Sequence, residues 1–124
     1  MQSLHKKWLA YEKGFSLAMD IFRISNSFPK CEIYSLTDQI RRSSRSVNAN
    51  LAEAVGKRRY PKHFVAKLTD AGSENFETQT WLDFAVECKY ISPEAYQQLT
   101  NRSEEVGKLI AYMIRNPSQF IKAY

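Results

Sequence analysis

The sequence predicts an all-α chain folded as an up-down-up-down antiparallel four-helix bundle. Apolar residues recur at spacings of three and four along most of its 124 residues, the period of helices with one buried face. Its four prolines, Pro29, Pro61, Pro93 and Pro117, fall where such runs begin or end. Only four glycines occur, so long stretches can stay regular. The whole chain, residues 1–124, reads as one domain of ordinary size. No strand alternation, internal repeat or low-complexity tract competes with this reading.

The first helix is expected over about 4–27, carried by Leu4, Trp8, Tyr11, Phe15, Ala18, Met19 and Phe22 as its core stripe. Pro29 ends it, because proline disfavours helix in the residue before it. The second is expected over about 35–59, with Ser35 as N-cap and Asp38 three residues on, as in a capping box. Its core stripe is Leu36, Ile40, Ser43, Val47, Leu51 and Ala54. Pro61 can open the third helix, 61–90, where its missing N–H costs nothing. Ser92-Pro93 opens the fourth, 93–115, and Asn116-Pro117 closes it. Short links between long helices make sequential neighbours antiparallel.

No apolar run reaches the roughly 18 residues of a membrane span. The N-terminus has scattered charges and no apolar signal-peptide core, so a cytoplasmic protein is expected. Cys31 and Cys88 stand in no metal-ligand spacing and read as buried or inert thiols in a reducing compartment. His5 and His63 are the only histidines, and no HExxH, CxxC, ExxH pair or phosphate-binding glycine loop occurs. No serine is marked as a nucleophile by a nearby base. The chain is therefore expected to have no catalytic residues, metal or cofactor, and not to be an enzyme.

The net charge of +5 is concentrated. Residues 39–59 carry six Lys/Arg against one acidic residue, with Arg41, Arg42, Arg45 and Arg59 on the side of the helix away from its core stripe. Small residues, Ala49 and Ala52, lie between them. Two partners suit such a stripe: phosphates, or the acidic side of helix three formed by Asp70, Glu74 and Glu77. For phosphate contact the candidates are Arg41, Arg45, Lys57, Arg58, Arg59 and Lys62, with Tyr60 placed to stack on a base. Arg42 is assigned instead to a polar network with Asn50, Glu53, Glu74, Asn75 and Glu77 that fixes helix register. Helix three also carries Phe76, Trp81 and Phe84 so far round its circumference that more than one face must be buried. These three are the candidate contact of a homo-oligomer.

The run LTDQIRRSSRSVNANLAEAVGKR resembles the helix-two signature of a bacterial four-helix-bundle family, the 23S rRNA intervening-sequence proteins. Leu36, Thr37, Gln39, Arg41, Arg42, Asn50, Ala52 and Glu53 match it, while Ala54 stands at the usual glycine. Glu74, Glu77, Thr78, Gln79, Trp81 and Leu82 match the third helix, and Trp8 and Phe28-Pro29 the first. The family is similar in fold to the accessory variability (Avd) proteins of diversity-generating retroelements. The resemblance implies a ring-like homo-oligomer, a pentamer among them, and an accessory role in binding RNA or DNA, with or without a protein partner. The alternative expectation is a homo-oligomeric scaffold whose arginines serve subunit contacts.

Overall fold

The computed structural model describes residues 3–121. It is all-helical, with α1 (Leu9–Ser25), α2 (Leu36–Gly56), α3 (Pro61–Glu87) and α4 (Pro93–Arg115), and no strand among the described residues. Each helix packs against the two beside it, α1 on α2 and α4, α3 on α2 and α4, while the diagonal pairs stand apart. That is the four-helix bundle the periodicity predicts. No described helix is long and apolar enough to cross a membrane.

The punctuation acts as expected at two helix starts. Pro61 begins α3 and Pro93 begins α4, where the Ser92 hydroxyl accepts a hydrogen bond from the Ala95 N–H at 3.1 Å. Two expectations fail. The first helix does not run unbroken from residue 4: Leu4–Lys7 forms a 3-10 turn, and Trp8 takes an extended conformation (ψ 132°) before α1 starts. The break swings the Trp8 indole into the core, edge-on to Phe64 and Phe120. Ser35 makes no side-chain cap, and the Leu36 N–H instead donates to Glu32 Oε1 at 3.3 Å. Helix α3 stops in a Schellman turn, with Lys89 left-handed (φ 63°) and the Tyr90 N–H donating to the Ala85 carbonyl at 2.8 Å. From there Tyr90 stacks at a tilt on Phe28 and donates its hydroxyl to Glu32 at 2.8 Å, joining the α3–α4 link to the α1–α2 link. This bond lifts the Tyr90 pKa to about 12.

The apolar core is in two lobes. One gathers Trp8, Leu51, Phe64, Leu68, Ile110 and Met113 at the end holding the α2–α3 link. The other gathers Ile21, Phe28, Ile40, Leu82, Ile91 and Leu99 at the opposite end. Between them runs a buried polar waist. The Ser43 and Thr78 hydroxyls share a 2.8 Å hydrogen bond, and each also reaches a carbonyl of its own helix, Ile40 and Glu74 respectively. Asn75 donates to the Ser103 carbonyl (2.8 Å) and accepts from its hydroxyl (2.9 Å), and Gln79 donates to that same hydroxyl (3.0 Å). On the far side the Asn48 amide donates to the Tyr11 carbonyl at 2.8 Å. Gly14 lets Asn48 in: a Cβ on Gly14 would lie 2.5 Å from Asn48 Oδ1.

Candidate functional site

The core stripe of α2 is buried as its periodicity requires, and Thr37, Ser44 and Asn48 are buried beside it against α1. The arginines therefore emerge along the two seams flanking α2. Arg41 is already engaged. Its guanidinium donates to Ser25 Oγ (2.8 Å) and Asn26 Oδ1 (2.9 Å) and lies 4.8 Å from the centre of the Phe22 ring. It ties α2 to the last turn of α1, so it offers its charge but few free donors to a ligand. Arg45 is exposed, 5.4 Å from the same ring centre.

Arg42 faces the α2/α3 seam, a groove of about 480 Å³ lined also by Gln39, Ser46, Glu74 and Glu77. It makes no ion pair there. Burial, then Glu77 and Asp70, push the Glu74 pKa up, and Arg42 only partly opposes them. The network expected across α2 and α3 does not form. Asn50 bonds back to Ser46 of its own helix, Glu53 pairs with Lys67 of α3 at 2.9 Å, and Glu77 accepts from the Trp81 indole at 3.3 Å. Asn75 faces α4, whose Ser103 completes its amide. What joins α2 to α3 at this level is the Ser43–Thr78 pair, two short side chains that fit where helices lie close.

Lys57, Arg59 and Lys62 cluster at the α2–α3 link, their side chains exposed and without a hydrogen bond or ion pair among the described residues. Helix α2 ends at Gly56 rather than near residue 59, which puts Lys57, Arg58 and Arg59 in the turn. Arg58 folds back to donate to the Val55 carbonyl at 2.8 Å, satisfying one open end of α2. Tyr60 is 61% exposed, with its ring edge-on to His63. The link therefore presents three free cations and an open aromatic face.

The candidate contact aromatics do not share one surface. Phe76 is 68% exposed and lines an apolar groove between α3 and α4 with Gly72, Gly107 and Ile114. Trp81 is half-buried against the exposed Phe84 on the flank of α3 nearer α2. Cys31 and Cys88 are free thiols, as expected, and of the two alternatives burial does not hold: both are exposed, because both sit in links. Among the described residues no group of three His, Cys, Asp or Glu side chains can hold a metal ion.

The first-helix stripe also divides. Ala10, Leu17, Ala18 and Ile21 enter the core with Gly14, while Tyr11, Phe15, Met19 and Phe22 turn to the α1/α2 seam, Phe15 being 54% exposed. Seven apolar positions read as one stripe span too wide an arc for one core face. That width is the signal by which the sequence could have shown the seam.

No curated protein matches the chain. A solved structure from Bacteroides thetaiotaomicron, a protein of unknown function from the S23 ribosomal protein family, is similar to it with a TM-score of 0.79 and 27% identity. That likeness covers 91% of this chain and 99% of the other. The family model described as "23S rRNA-intervening sequence protein" matches residues 6–112, which take in α1 to α3, the basic link and most of α4. The chain belongs to the 23S rRNA-intervening sequence protein family.

Proposed function

We propose that this chain is a non-enzymatic, homo-oligomeric accessory protein of the cytoplasm that binds nucleic acid, structured RNA in preference to DNA. One observation carries the reading. Among the described residues none of Arg41, Arg42, Arg45, Lys57, Arg58, Arg59 or Lys62 is in an ion pair, although three carboxylates stand on the neighbouring helix. Apart from the partial opposition of Arg42 to Glu74, the excess positive charge is therefore uncompensated among the described residues and attracts phosphate. Lys57, Arg59 and Lys62 meet phosphates directly, Tyr60 stacks, and Arg45 adds charge further along α2. The ribosomal associations in the names of the family and of its solved relative agree with an RNA ligand. Kinship with the accessory variability proteins, and a pentameric ring, belong to the same reading.

The test is anisotropy of a labelled structured RNA titrated at several salt concentrations. Affinity should fall linearly on a log–log plot, with a slope of about −0.7 to −0.9 per phosphate neutralised. Lys57→Glu/Arg59→Glu/Lys62→Glu should flatten that slope by about two to three and leave the mass by light scattering unchanged. Absence of binding at about 50 mM salt sinks the proposal.

The exposed Phe76 and Phe84 favour a second reading, a homo-oligomeric scaffold with a protein partner, in which the arginines serve subunit contacts. On that reading Arg45→Glu lowers the particle mass, and there is no RNA affinity to lose.

A further inference from the structure

The seam between α1 and α2 differs from the other three. Lys13–Glu105 and Arg102–Asp20 tie α1 to α4, Glu74 and Glu77 line the α2/α3 groove, and Glu104 lines the α3/α4 groove. No carboxylate lines either stretch of the α1/α2 seam. One stretch, about 320 Å³, is walled by Tyr11, Phe15 and Met19 with Arg45, Ala49 and Ala52 opposite. The other, about 270 Å³, continues past Ala52 to Gly56 and Arg58, with Leu4 and His5 of the N-terminal turn as its far wall. Ala52 lines both, so the two stretches adjoin. From Arg45 to Arg58 they run about 20 Å at 1.5 Å per residue. Cations stand at both ends, and aromatic and small residues lie between.

A further observation points to an occupant. Tyr11 and Phe15 are stacked (centroids 6.2 Å apart, planes 27° apart), with Phe15 54% exposed, so a flat apolar surface faces the groove.

We infer that the α1/α2 seam is a track for an unpaired stretch of RNA, with bases stacked on Phe15 and Tyr11 and phosphates at Arg45 and at the Lys57–Arg59 turn. A duplex hides its base faces and cannot use an aromatic wall, whereas loops and bulges of structured RNA present them. The inference rests on the RNA-binding reading and adds to it the form of the ligand and residues outside the basic link. Phe15 becomes a specificity-determining residue for single strands.

The experiment compares a labelled single-stranded 12-mer of adenosines with a blunt 12-base-pair RNA duplex, by anisotropy, on the wild-type chain, Phe15→Ala and Ala52→Glu. Circular dichroism melts and light scattering check each variant. Both side chains replaced are at the surface or half-buried, so the fold should survive. The single strand should bind at least about ten-fold tighter than the duplex, and Phe15→Ala should weaken it about ten-fold while leaving the duplex unchanged. Ala52→Glu should abolish single-strand binding. Equal or tighter duplex binding, or single-strand binding indifferent to both substitutions, overturns the track and leaves the RNA-binding reading standing. No binding of either probe removes both. A fall in particle mass with Phe15→Ala makes the seam a contact between copies and overturns the track as well.

Discussion

Replacing Gly14 by alanine should destabilise this bundle, although the same change stabilises most helices. A Cβ at position 14 would sit 2.5 Å from Asn48 Oδ1 and 3.4 Å from its Cγ. Asn48 cannot simply rotate away, because its Nδ2 is held by the Tyr11 carbonyl at 2.8 Å. Either that bond breaks, costing about 1–3 kcal/mol for a buried amide, or α1 retreats from α2 at an overpacking cost of about 1–3 kcal/mol. Alanine returns about 1 kcal/mol of helix propensity. The net loss is about 1 kcal/mol. With an unfolding entropy of about 2.1 cal/mol/K per residue over 124 residues, that is a fall in Tm of about 4 °C. Gly72→Ala is the control. There the new methyl would meet only Ile110 Cγ2, at 3.8 Å, and the variant should gain about 0.5–1 kcal/mol. The decisive measurement is a double-mutant cycle by thermal melts. In an Asn48→Ala background the clash is gone, so Gly14→Ala should change sign and stabilise by about 1 kcal/mol. If Gly14→Ala stabilises the wild-type chain, or costs the same with Asn48 removed, the close approach of α1 and α2 is not what this reasoning takes it to be.

Asn75→Ala strips its bonds to the Ser103 carbonyl and hydroxyl and should cost about 2–3 kcal/mol by urea unfolding, about half of it absent if Ser103→Ala, which removes the hydroxyl and keeps the carbonyl, is already in place. Arg41→Ala should lower stability by about 1–2 kcal/mol through loss of its bonds to Ser25 and Asn26, yet leave the salt dependence of RNA binding nearly unchanged, as titrations on the two proteins would show. The hydrogen bond from Arg102, with Arg23 beside it, holds the Asp20 carboxyl below its usual pKa. Its folded value thus lies below its unfolded one, so its stabilisation is present above the unfolded pKa and is lost as pH falls through the folded pKa. Since the pair is partly exposed, Asp20→Asn should cost only about 1 kcal/mol at pH 7, and its melting curve should converge on the wild type as pH falls through the lowered folded pKa of Asp20. Lys89→Gly relieves a left-handed non-glycine residue and should raise stability by about 0.5–1 kcal/mol in the same melts.

What the sequence could reveal depended on how local its cause was. Pro61 and Pro93 mark helix starts by chemistry confined to their own rings, and both were legible. Trp8 breaks the helical stretch because its indole packs on Phe64 and Phe120, residues distant in the chain, so periodicity alone ran the helix through it. Asn75 and Thr78 could be read as polar positions on a core stripe, but not matched to their partners. That match depends on which flank of α3 faces α2 and which faces α4. The basic stripe was legible as charge, whereas its division into a committed Arg41 and free Lys57, Arg59 and Lys62 was not. Arg41 finds Ser25 and Asn26 only once the α1–α2 link folds back on itself.

The polar waist has a consequence for chirality. Four helices joined by short links can be wound around their common axis in either of two hands, and the same alternation of apolar and polar residues satisfies both. The two windings exchange which flank of α3 meets α2 and which meets α4. In the hand adopted here Thr78 meets Ser43 on one flank and Asn75 meets Ser103 on the other. The mirror winding would turn the Asn75 carboxamide toward α2 and away from its acceptor, at about 1–3 kcal/mol for each polar group stranded in the interior. A few short side chains at mid-bundle thus choose between two topologies that the apolar lobes cannot tell apart.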